Sequence, residues 1–314
     1  MIRRILVTGA TGFVAHALLS RIPAGYEYVA TSRRSNHLAS TPWRPSPHLS
    51  SSADWRSVLE GIDSVVHLAG RVHVSPDGDA SPFFIENLDG TIKLAEDAVS
   101  AGVRRLVYVS TAKVLGDESG PVALLEGSPA RPQDPYAASK LATEQGLSNL
   151  GGKIQVAVLR PPLVYGPGVK ANFLALLSAV ARGVPMPLAS VRNRRSLIGV
   201  ANLASAITAC LESPKAAGRT YHVTDGEPCS TPALVQAIAS AFDKPSRLFP
   251  FPPRLLEICG GMIGRAETVQ RLTRSLELDD RAIRSELGWR PVQTFEEGIA
   301  ETVRWYQGST QGEF

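Results

Sequence analysis

Cysteine is scarce in this chain of 314 residues, which has three: Cys210, Cys229 and Cys259. Their odd number and wide separation fit a reducing compartment better than a disulfide framework. None of them has the close spacing that is typical of metal ligands. We therefore predict a protein without a metal site.

Long apolar runs are also missing. The most apolar late stretch, Leu255 to Ile263, is interrupted by Glu257 and is too short to span a bilayer, although it is a candidate contact surface. The N-terminus leads straight into an apolar strand, which leaves no room for a signal peptide. We therefore expect a cytoplasmic protein with no membrane span.

Charge of either sign is not in large excess. The formal net charge is +4 and the pI is about 9.0. No basic helix interleaved with aromatic residues and no recognition module is found, so we predict no nucleic-acid partner. Apolar residues make up 44% of the chain, enough to bury a large core in one domain plus a smaller lobe.

The chain begins with a strand, a glycine turn and a helix. Ile5 to Thr8 is apolar and β-prone, and the helix follows a G-x-x-G-x-x-A run. This order places backbone N–H groups and the positive end of a helix dipole where a pyrophosphate binds. Cofactor binding is accordingly predicted for Gly9, Thr11, Gly12, Phe13 and Val14.

The second predicted strand ends in Ser32-Arg33-Arg34, about twenty residues past the glycines, where an NAD site usually carries an acid. Arg33 instead suits the 2′-phosphate of NADP, so the sequence favours NADP over NAD. The alternative is a pair of solvated surface arginines.

Further cofactor contacts are predicted along the next segments. Asp54 and Trp55 lie before a helix, where they flank the adenine or form an N-cap. The strand from Val65 ends in Leu68, Ala69 and Gly70. Its last residues are small, which would let the chain pass close to a bound dinucleotide. His67 invites a catalytic role, but its apolar strand favours a satisfied core histidine.

Tyr136 and Lys140 lie one helical turn apart, on one face of a predicted helix. A cation beside a phenol favours the phenolate and lowers the pKa of the phenol, so this tyrosine is a candidate acid and base. Ser110 and Thr111 follow another predicted strand, at the sheet edge where ligands bind. Either hydroxyl suits a substrate carbonyl.

Together, these motifs resemble those of the extended short-chain dehydrogenase/reductases, in particular the nucleotide-sugar epimerase, dehydratase and ketoreductase group. The likeness runs nearly end to end. It is carried by Thr8-Gly9-Ala10-Thr11-Gly12-Phe13, His67-Leu68-Ala69-Gly70, Asn87 with Gly90-Thr91, Ser110-Thr111-Ala112-Lys113-Val114-Leu115-Gly116, Tyr136 to Lys140, Leu159-Arg160-Pro161-Pro162-Leu163-Val164-Tyr165-Gly166-Pro167-Gly168 and Leu287-Gly288-Trp289-Arg290-Pro291.

The predicted fold is doubly wound α/β with a parallel Rossmann sheet. Residues 1–165 form the dinucleotide-binding domain, which also receives segments near 196–226. Residues 166–314 form mainly a smaller C-terminal substrate-binding lobe. The resemblance further implies a homodimer that pairs through the helix from Thr91 to Ala101 and the helix bearing Tyr136.

The resemblance assigns roles to the candidate residues. It implies that Thr111 polarises the substrate oxygen, that Tyr136 is the acid or base, and that Lys140 tunes Tyr136 and holds the nicotinamide ribose. Ser110 is the substitute if the register is off by one, and Leu115 replaces a family tyrosine. Asn87 and Pro162 are expected to contact the cofactor.

Two residues are predicted to hold the substrate. Asn172 is either an N-cap or, by its family position, a contact to a sugar phosphate. Arg195, in a basic cluster, is either solvated or a ligand of the diphosphate of a UDP-sugar.

The predicted reaction is hydride transfer at sugar C4, with three alternatives open. The first is reduction of a UDP-linked 4-keto-6-deoxy-N-acetylhexosamine in surface polysaccharide synthesis, since the later motifs resemble enzymes of that kind. The second is a UDP-sugar 4-epimerase with tightly bound NAD. The third is a non-catalytic dinucleotide sensor or scaffold.

Overall fold

Nine short strands are found in the computed structural model, which describes residues 2–34, 41–72 and 78–310. In chain order they are β1 Arg3–Thr8, β2 Tyr26–Ser32, β3 Trp43–Pro45, β4 Ser64–His67, β5 Arg105–Val109, β6 Gln155–Arg160, β7 Leu163–Tyr165, β8 Leu197–Gly199 and β9 Arg219–His222. Seven of them form one parallel sheet in the order β3-β2-β1-β4-β5-β6-β9. The predicted doubly wound Rossmann fold is therefore confirmed.

Helices cover both faces of this sheet. They are α1 Phe13–Leu19, α2 Arg56–Leu59, α3 Ser81–Phe83, α4 Gly90–Ser100, α5 Pro135–Ser148, α6 Ala171–Ala181, α7 Val200–Glu212, α8 Thr231–Ala241, α9 Pro253–Met262, α10 Ala266–Thr273, α11 Arg281–Leu287 and α12 Phe295–Thr310. A π-helical segment, Phe84–Asp89, joins α3 to α4, and two 3-10 helices span Ala112–Leu115 and Pro214–Ala216.

The sheet is apolar on both faces because parallel strands are covered on both sides. Successive residues of β1 illustrate this: Ile5 and Val7 pack in one core cluster, and Leu6 packs in the other. The first cluster includes residues of α1 and α7, and the second includes residues of α4 and α5. Both faces of β1 are thus sealed from water from Ile5 to Thr8.

The order of strands reverses between β1 and β4, which are neighbours in the sheet. Connections from these two strands leave on opposite faces, so a crevice opens beyond their carboxyl ends. Gly9 follows β1 and Leu68 follows β4 at this point. The fold therefore directs the predicted cofactor residues to the same crevice.

The C-terminal half of the chain contributes strands to both sheets of the structure. Its strand β9 forms an edge of the large sheet, whereas β8 pairs with β7 in a separate two-stranded parallel sheet. Around that small sheet a third core cluster joins α6, α8 and α12 through residues such as Phe173, Val235 and Val303. None of the helices in the described residues is long and apolar enough to cross a membrane.

Candidate active site

The glycine turn after β1 has no room for side chains. Gly9 has a φ of +66°, and a Cβ atom built there would lie 2.8 Å from the backbone nitrogen of Ala69. The N–H of Gly12 donates to the carbonyl of Gly9 at 2.8 Å, and Gly12 immediately precedes α1. The first N–H groups of a helix have no partner within it, so this turn presents donors to an anion.

Thr8 holds the facing loop against this turn. Its Oγ1 accepts hydrogen bonds from the backbone N–H groups of Leu68, at 3.1 Å, and Ala69, at 3.2 Å. The ring of His67 bonds to the hydroxyls of Thr8, at 2.8 Å, and Thr91, at 2.9 Å. Burial lowers the pKa of His67 to about 3. His67 is a satisfied core histidine, as its apolar strand predicted.

Asn87 connects the loop after β4 to helix α5. Its Oδ1 accepts from the backbone N–H of Arg71 at 2.7 Å, and its Nδ2 donates to the Oγ of Ser139 at 2.9 Å. A Cβ on Gly70 would lie 2.8 Å from the same Oδ1. The Asn87 amide is thus engaged by protein groups, and its observed role is to position the loop.

A surface cleft opens above the glycine turn. Among its lining residues are seven that the sequence predicted for the cofactor: Gly9, Thr11, Gly12, Arg33, Leu68, Ala69 and Gly70. Sequence reasoning missed five others: Ser32, Ser46, Pro47, Leu49 and Glu86. Ser32 ends β2 and Glu86 lies in the π-helical segment, whereas Ser46, Pro47 and Leu49 come from the loop after β3. Only their position in the fold identifies them. Arg33 is exposed and lines this cleft.

The prediction for Trp55 is wrong as a side-chain contact. Its ring is fully buried because it packs in the core cluster between the sheet and α4. The Asp54 carboxylate accepts from the backbone N–H of Arg56 at 3.1 Å and pairs with its guanidinium at 2.7 Å. Trp55, not Asp54, is the N-cap residue of the short helix α2, so the N-cap interpretation of Asp54 is also wrong.

The cleft fits a dinucleotide. The positive φ of Gly9, the close approach of Ala69 and the helix start at Phe13 form a cradle that any Cβ at residue 9 would fill. Phe13 also contacts Gly168 of the loop after β7, where a Cβ would lie 3.4 Å from the phenyl ring. The structure assigns no comparable position to Val14, which is partly buried against the core.

Helix α5 carries the Tyr-Lys pair. The Oδ1 of Asp134 caps the helix by accepting from the N–H of Ala137 at 2.7 Å, and Pro135 occupies the first helical position. Lys140 is buried; its Nζ donates to the carbonyl of Val109 at 2.8 Å and lies 4.3 Å from the ring centroid of Tyr108. The amine is thereby fixed at the carboxyl end of β5.

The predicted lowering of the Tyr136 pKa is wrong for this structure. Burial, with a smaller contribution from the Asp134 carboxylate, raises the pKa of Tyr136 to about 12. Burial also lowers the pKa of Lys140 to about 7, against a weaker opposing effect of Glu144. Desolvation penalises both charged forms, and a sequence pattern does not reveal its size.

Two hydroxyls lie beyond the end of β5. Thr111 begins the 3-10 helix, where its Oγ1 accepts from the N–H of Lys113 at 3.3 Å. The Oγ of Ser110 is buried and has no hydrogen-bond partner among the described residues. Both hydroxyls therefore remain candidates for a substrate oxygen.

Lys113 was missed as a site residue. Its Nζ donates to the Oδ2 of Asp134 and lies 3.8 Å from Asp117. This bond ties the segment bearing Thr111 to the start of the helix bearing Tyr136. A lysine in a short motif carries no signal of such a bridge, because its partner Asp134 is distant in sequence.

The arginines of the basic cluster around Arg195 have different surroundings in the structure. Arg194 is exposed and pairs with Glu277 at 2.7 Å, whereas the Arg195 Nη1 donates to the carbonyl of Arg274 at 3.0 Å. Burial lowers the pKa of Arg195. Beside it is a polar pocket lined by Asp117, Glu118, Gln133, Glu267, Gln270, Arg271 and Arg274.

The remaining predicted residues are Pro162, which follows β6, and Asn172, which follows β7. Pro162 is buried directly after β6, next to Pro161, whose carbonyl accepts from the N–H of Ala112 at 2.9 Å. Asn172 is exposed and is the second residue of α6. The helix begins two residues earlier than predicted, with Lys170 at the N-cap, so the N-cap interpretation of Asn172 is wrong.

The fold and site define a dinucleotide-binding α/β protein with a Tyr-Lys pair at the carboxyl edge of a parallel sheet. The chain belongs to the NAD dependent epimerase/dehydratase family, whose model matches residues 5–224.

Individual relatives agree with this membership. The chain is 35% identical over 318 residues to a UDP-glucose 4-epimerase of Vibrio cholerae, covering 97% of this chain and 95% of the relative. It is 31% identical over 267 residues to a dTDP-glucose 4,6-dehydratase of an Actinoplanes species, covering 80% and 77%. A crystal structure of Thermus thermophilus UDP-glucose 4-epimerase with NAD is similar at 27% identity, with a TM-score of 0.77 and coverage of 98% and 99%.

Proposed function

We propose that this protein is an NAD-dependent 4-epimerase of a UDP-linked hexose. The observation that carries the proposal is the network around Asn87, which bonds both the loop of the cofactor cleft and Ser139, a residue between Tyr136 and Lys140 on α5. Hydrogen bonds of Asn87 and Ser139 thus join the loop of the cofactor cleft to helix α5, which carries Tyr136 and Lys140. The Vibrio cholerae relative, a UDP-glucose 4-epimerase, supports C4 as the reacting carbon.

The proposed chemistry divides between cofactor and protein. When bound, NAD would supply the hydride acceptor for oxidation at C4 and the hydride donor for reduction from the opposite face. Tyr136 takes the proton of the C4 hydroxyl during oxidation and returns it during reduction. Thr111 or Ser110 donates a hydrogen bond to the same oxygen, which stabilises the charge that develops there.

Lys140 sets the protonation of Tyr136 in this proposal. A phenol with a pKa of about 12 is a poor base at neutral pH, so it needs a cation nearby when the substrate is bound. The Lys140 amine, with a pKa of about 7, takes up a proton readily in that range. A protonated Lys140 would lower the pKa of the phenol and donate to the nicotinamide ribose.

The polar pocket near Arg195 is the proposed nucleotide subsite. Arg271 and Arg274 line this pocket, where they pair with Glu267 at 3.2 Å and Glu118 at 3.1 Å, and Arg195 lies beside it. Their guanidinium groups suit the two phosphates of a nucleoside diphosphate, which would replace these carboxylates as partners. Gln133 lines the pocket and lies three residues before Tyr136. A diphosphate bound in this pocket would therefore place its attached sugar near Tyr136. Asn172, in the first turn of α6, is a second proposed contact.

The residues beside Thr111 argue against 4,6-dehydration. That reaction must also remove a proton from C5 and expel the C6 oxygen as water, which requires a further acid and base. The two following side chains are Ala112, which has no titratable group, and Lys113, which is engaged with Asp134. Epimerisation at C4 does not need this further acid and base.

Arg33 favours a second candidate, the NADPH-dependent reduction of a UDP-linked 4-keto sugar. It lines the cofactor cleft where a 2′-phosphate would bind, and a reductase draws on the phosphorylated pool. An epimerase regenerates its own cofactor and has no need of that phosphate.

One pair of assays separates the candidates. Purified protein is mixed with UDP-glucose, and separately with UDP-N-acetylglucosamine, without added cofactor, and the products are followed by NMR. Appearance of the 4-epimer, abolished in Tyr136→Phe, is the expected result. Consumption of NADPH in proportion to a 4-keto sugar, with no epimer formed, would replace the epimerase by the reductase. Arg33→Ala should then raise the KM for NADPH more than that for NADH.

A further inference from the structure

Helix α9 exposes an apolar stripe to solvent. Leu255, Ile258 and Met262 are 49%, 59% and 82% exposed, and Ile263 directly after the helix is 70% exposed. The three helical residues follow the i, i+3, i+7 spacing of one helix face. On a soluble helix the apolar face normally turns inwards, so this orientation calls for a partner.

The inner face of α9 fixes this orientation. Gly260 packs against α10 so closely that a Cβ there would lie 2.5 Å from Val269 Cγ2. Glu257 faces α10 too, where its Oε1 accepts from the hydroxyl of Thr273 at 2.7 Å. The helix therefore cannot rotate to bury the stripe without breaking the α9–α10 pair.

The exposed charged residues of α9 and the segments flanking it, within 249–265, have one sign. Within 249–265, all of which the structure describes, the exposed charged residues are Arg254 and Arg265, and the acid Glu257 is half-buried under α10. An exposed apolar stripe bordered by arginines is complementary to anionic headgroups above an acyl layer. It is a poor match for another basic surface.

A second copy of the chain is a weaker occupant for this surface. A standard protein interface involves about 20–30 residues and about 800 Å² on each side. The exposed large apolar and basic side chains of 249–265 number only six besides Phe249. Two such surfaces would also bring the arginines of both copies together.

We propose that α9, with Ile263 and Arg265, docks this protein on the surface of an anionic lipid bilayer. The stripe enters the headgroup region, and Arg254 and Arg265 contact lipid phosphates. The protein is then peripheral, held by a shallow and reversible contact.

Vesicle sedimentation tests this contact with the full-length protein. Wild type should sediment with vesicles of phosphatidylglycerol and phosphatidylcholine and remain in solution with pure phosphatidylcholine, and high salt should release it. Ile258→Ser with Met262→Ser should reduce partitioning about tenfold or more. Arg254→Gln should reduce it about fivefold.

A matched control comes from elsewhere on the surface. Val122 and Val292 are 71% and 62% exposed, comparable to Ile258, and lie outside 249–265. Val122→Ser with Val292→Ser should leave partitioning unchanged, and both double variants should keep the wild-type melting temperature. No sedimentation of wild type with anionic vesicles, or equal loss in both double variants, would overturn the proposal. Dissociation of a wild-type oligomer by the α9 substitutions, seen by size exclusion, would do so in favour of a second copy.

Discussion

Replacing Lys140 by methionine should change how the stability of the protein depends on pH. The side chain is 6% exposed, and burial lowers the pKa of its amine from 10.5 to about 7. Methionine keeps an unbranched apolar stem against Tyr108 while removing the charge. The comparison of wild type with Lys140→Met therefore isolates the energetic cost of a buried amine.

The direction follows from the proton balance. Between about pH 7 and pH 10.5 the unfolded chain keeps a proton on Lys140 that the folded protein has released. Because the unfolded state binds more protons in this window, raising the pH stabilises the folded state. The penalty is fully present below pH 7 and is removed progressively as the pH rises towards 10.5. These two pKa values give a gain of about 2 kcal/mol between pH 7 and pH 9.

Urea unfolding of both proteins at each pH measures this quantity directly. The free energy of unfolding of wild type, minus that of Lys140→Met, should rise by about 2 kcal/mol from pH 7 to pH 9. It should stay constant from about pH 5 to pH 6, where the amine is protonated in both states. A difference that does not change above pH 7 would refute the assignment of a depressed pKa to this amine.

The other predictions concern catalysis, the cradle and the core. Tyr136→Phe should lower kcat by about 10²- to 10⁴-fold in the epimerase assay with no change in melting temperature, since the hydroxyl is the proposed acid and base. Gly9→Ala should abolish retention of dinucleotide through purification, measured by absorbance, whereas Gly102→Ala, with a φ of +77° but open space, should retain it. Arg160→Met leaves the Glu144 carboxylate, 2.6 Å away, buried without its partner, and should cost about 3–5 kcal/mol in urea unfolding; a cost below 1 kcal/mol would contradict this.

The cofactor half of the site was largely predictable. Gly9 and Gly12 act through backbone conformation and local space, and the strand before them and the helix after them are read from neighbouring residues. His67 was likewise assigned to the core because the residues on either side of it are apolar. These features depend on contacts that a short segment already specifies.

The substrate half was less predictable. Arg195 lies beside Arg271 and Arg274, more than seventy residues away in sequence, and Lys113 bridges to Asp134. Arg271 lies in the last turn of the amphipathic helix α10 and Arg274 directly follows that helix. Arginines in such a sequence pattern usually mark a solvated face. Only the packing of α10 beside the segment at Arg195 identifies them as members of a pocket.

The amino-acid sequence alone determined the sheet class, the glycine turn and the spacing of Tyr136 and Lys140, because strand alternation, turn geometry and helical periodicity are local properties of the backbone. Tertiary structure decided which groups lose contact with water. Desolvation raised the pKa of Tyr136, lowered that of Lys140 and sealed Trp55 in the core. Each of these outcomes depends on atoms brought in from distant segments, and burial of that kind has no signature in the residues themselves.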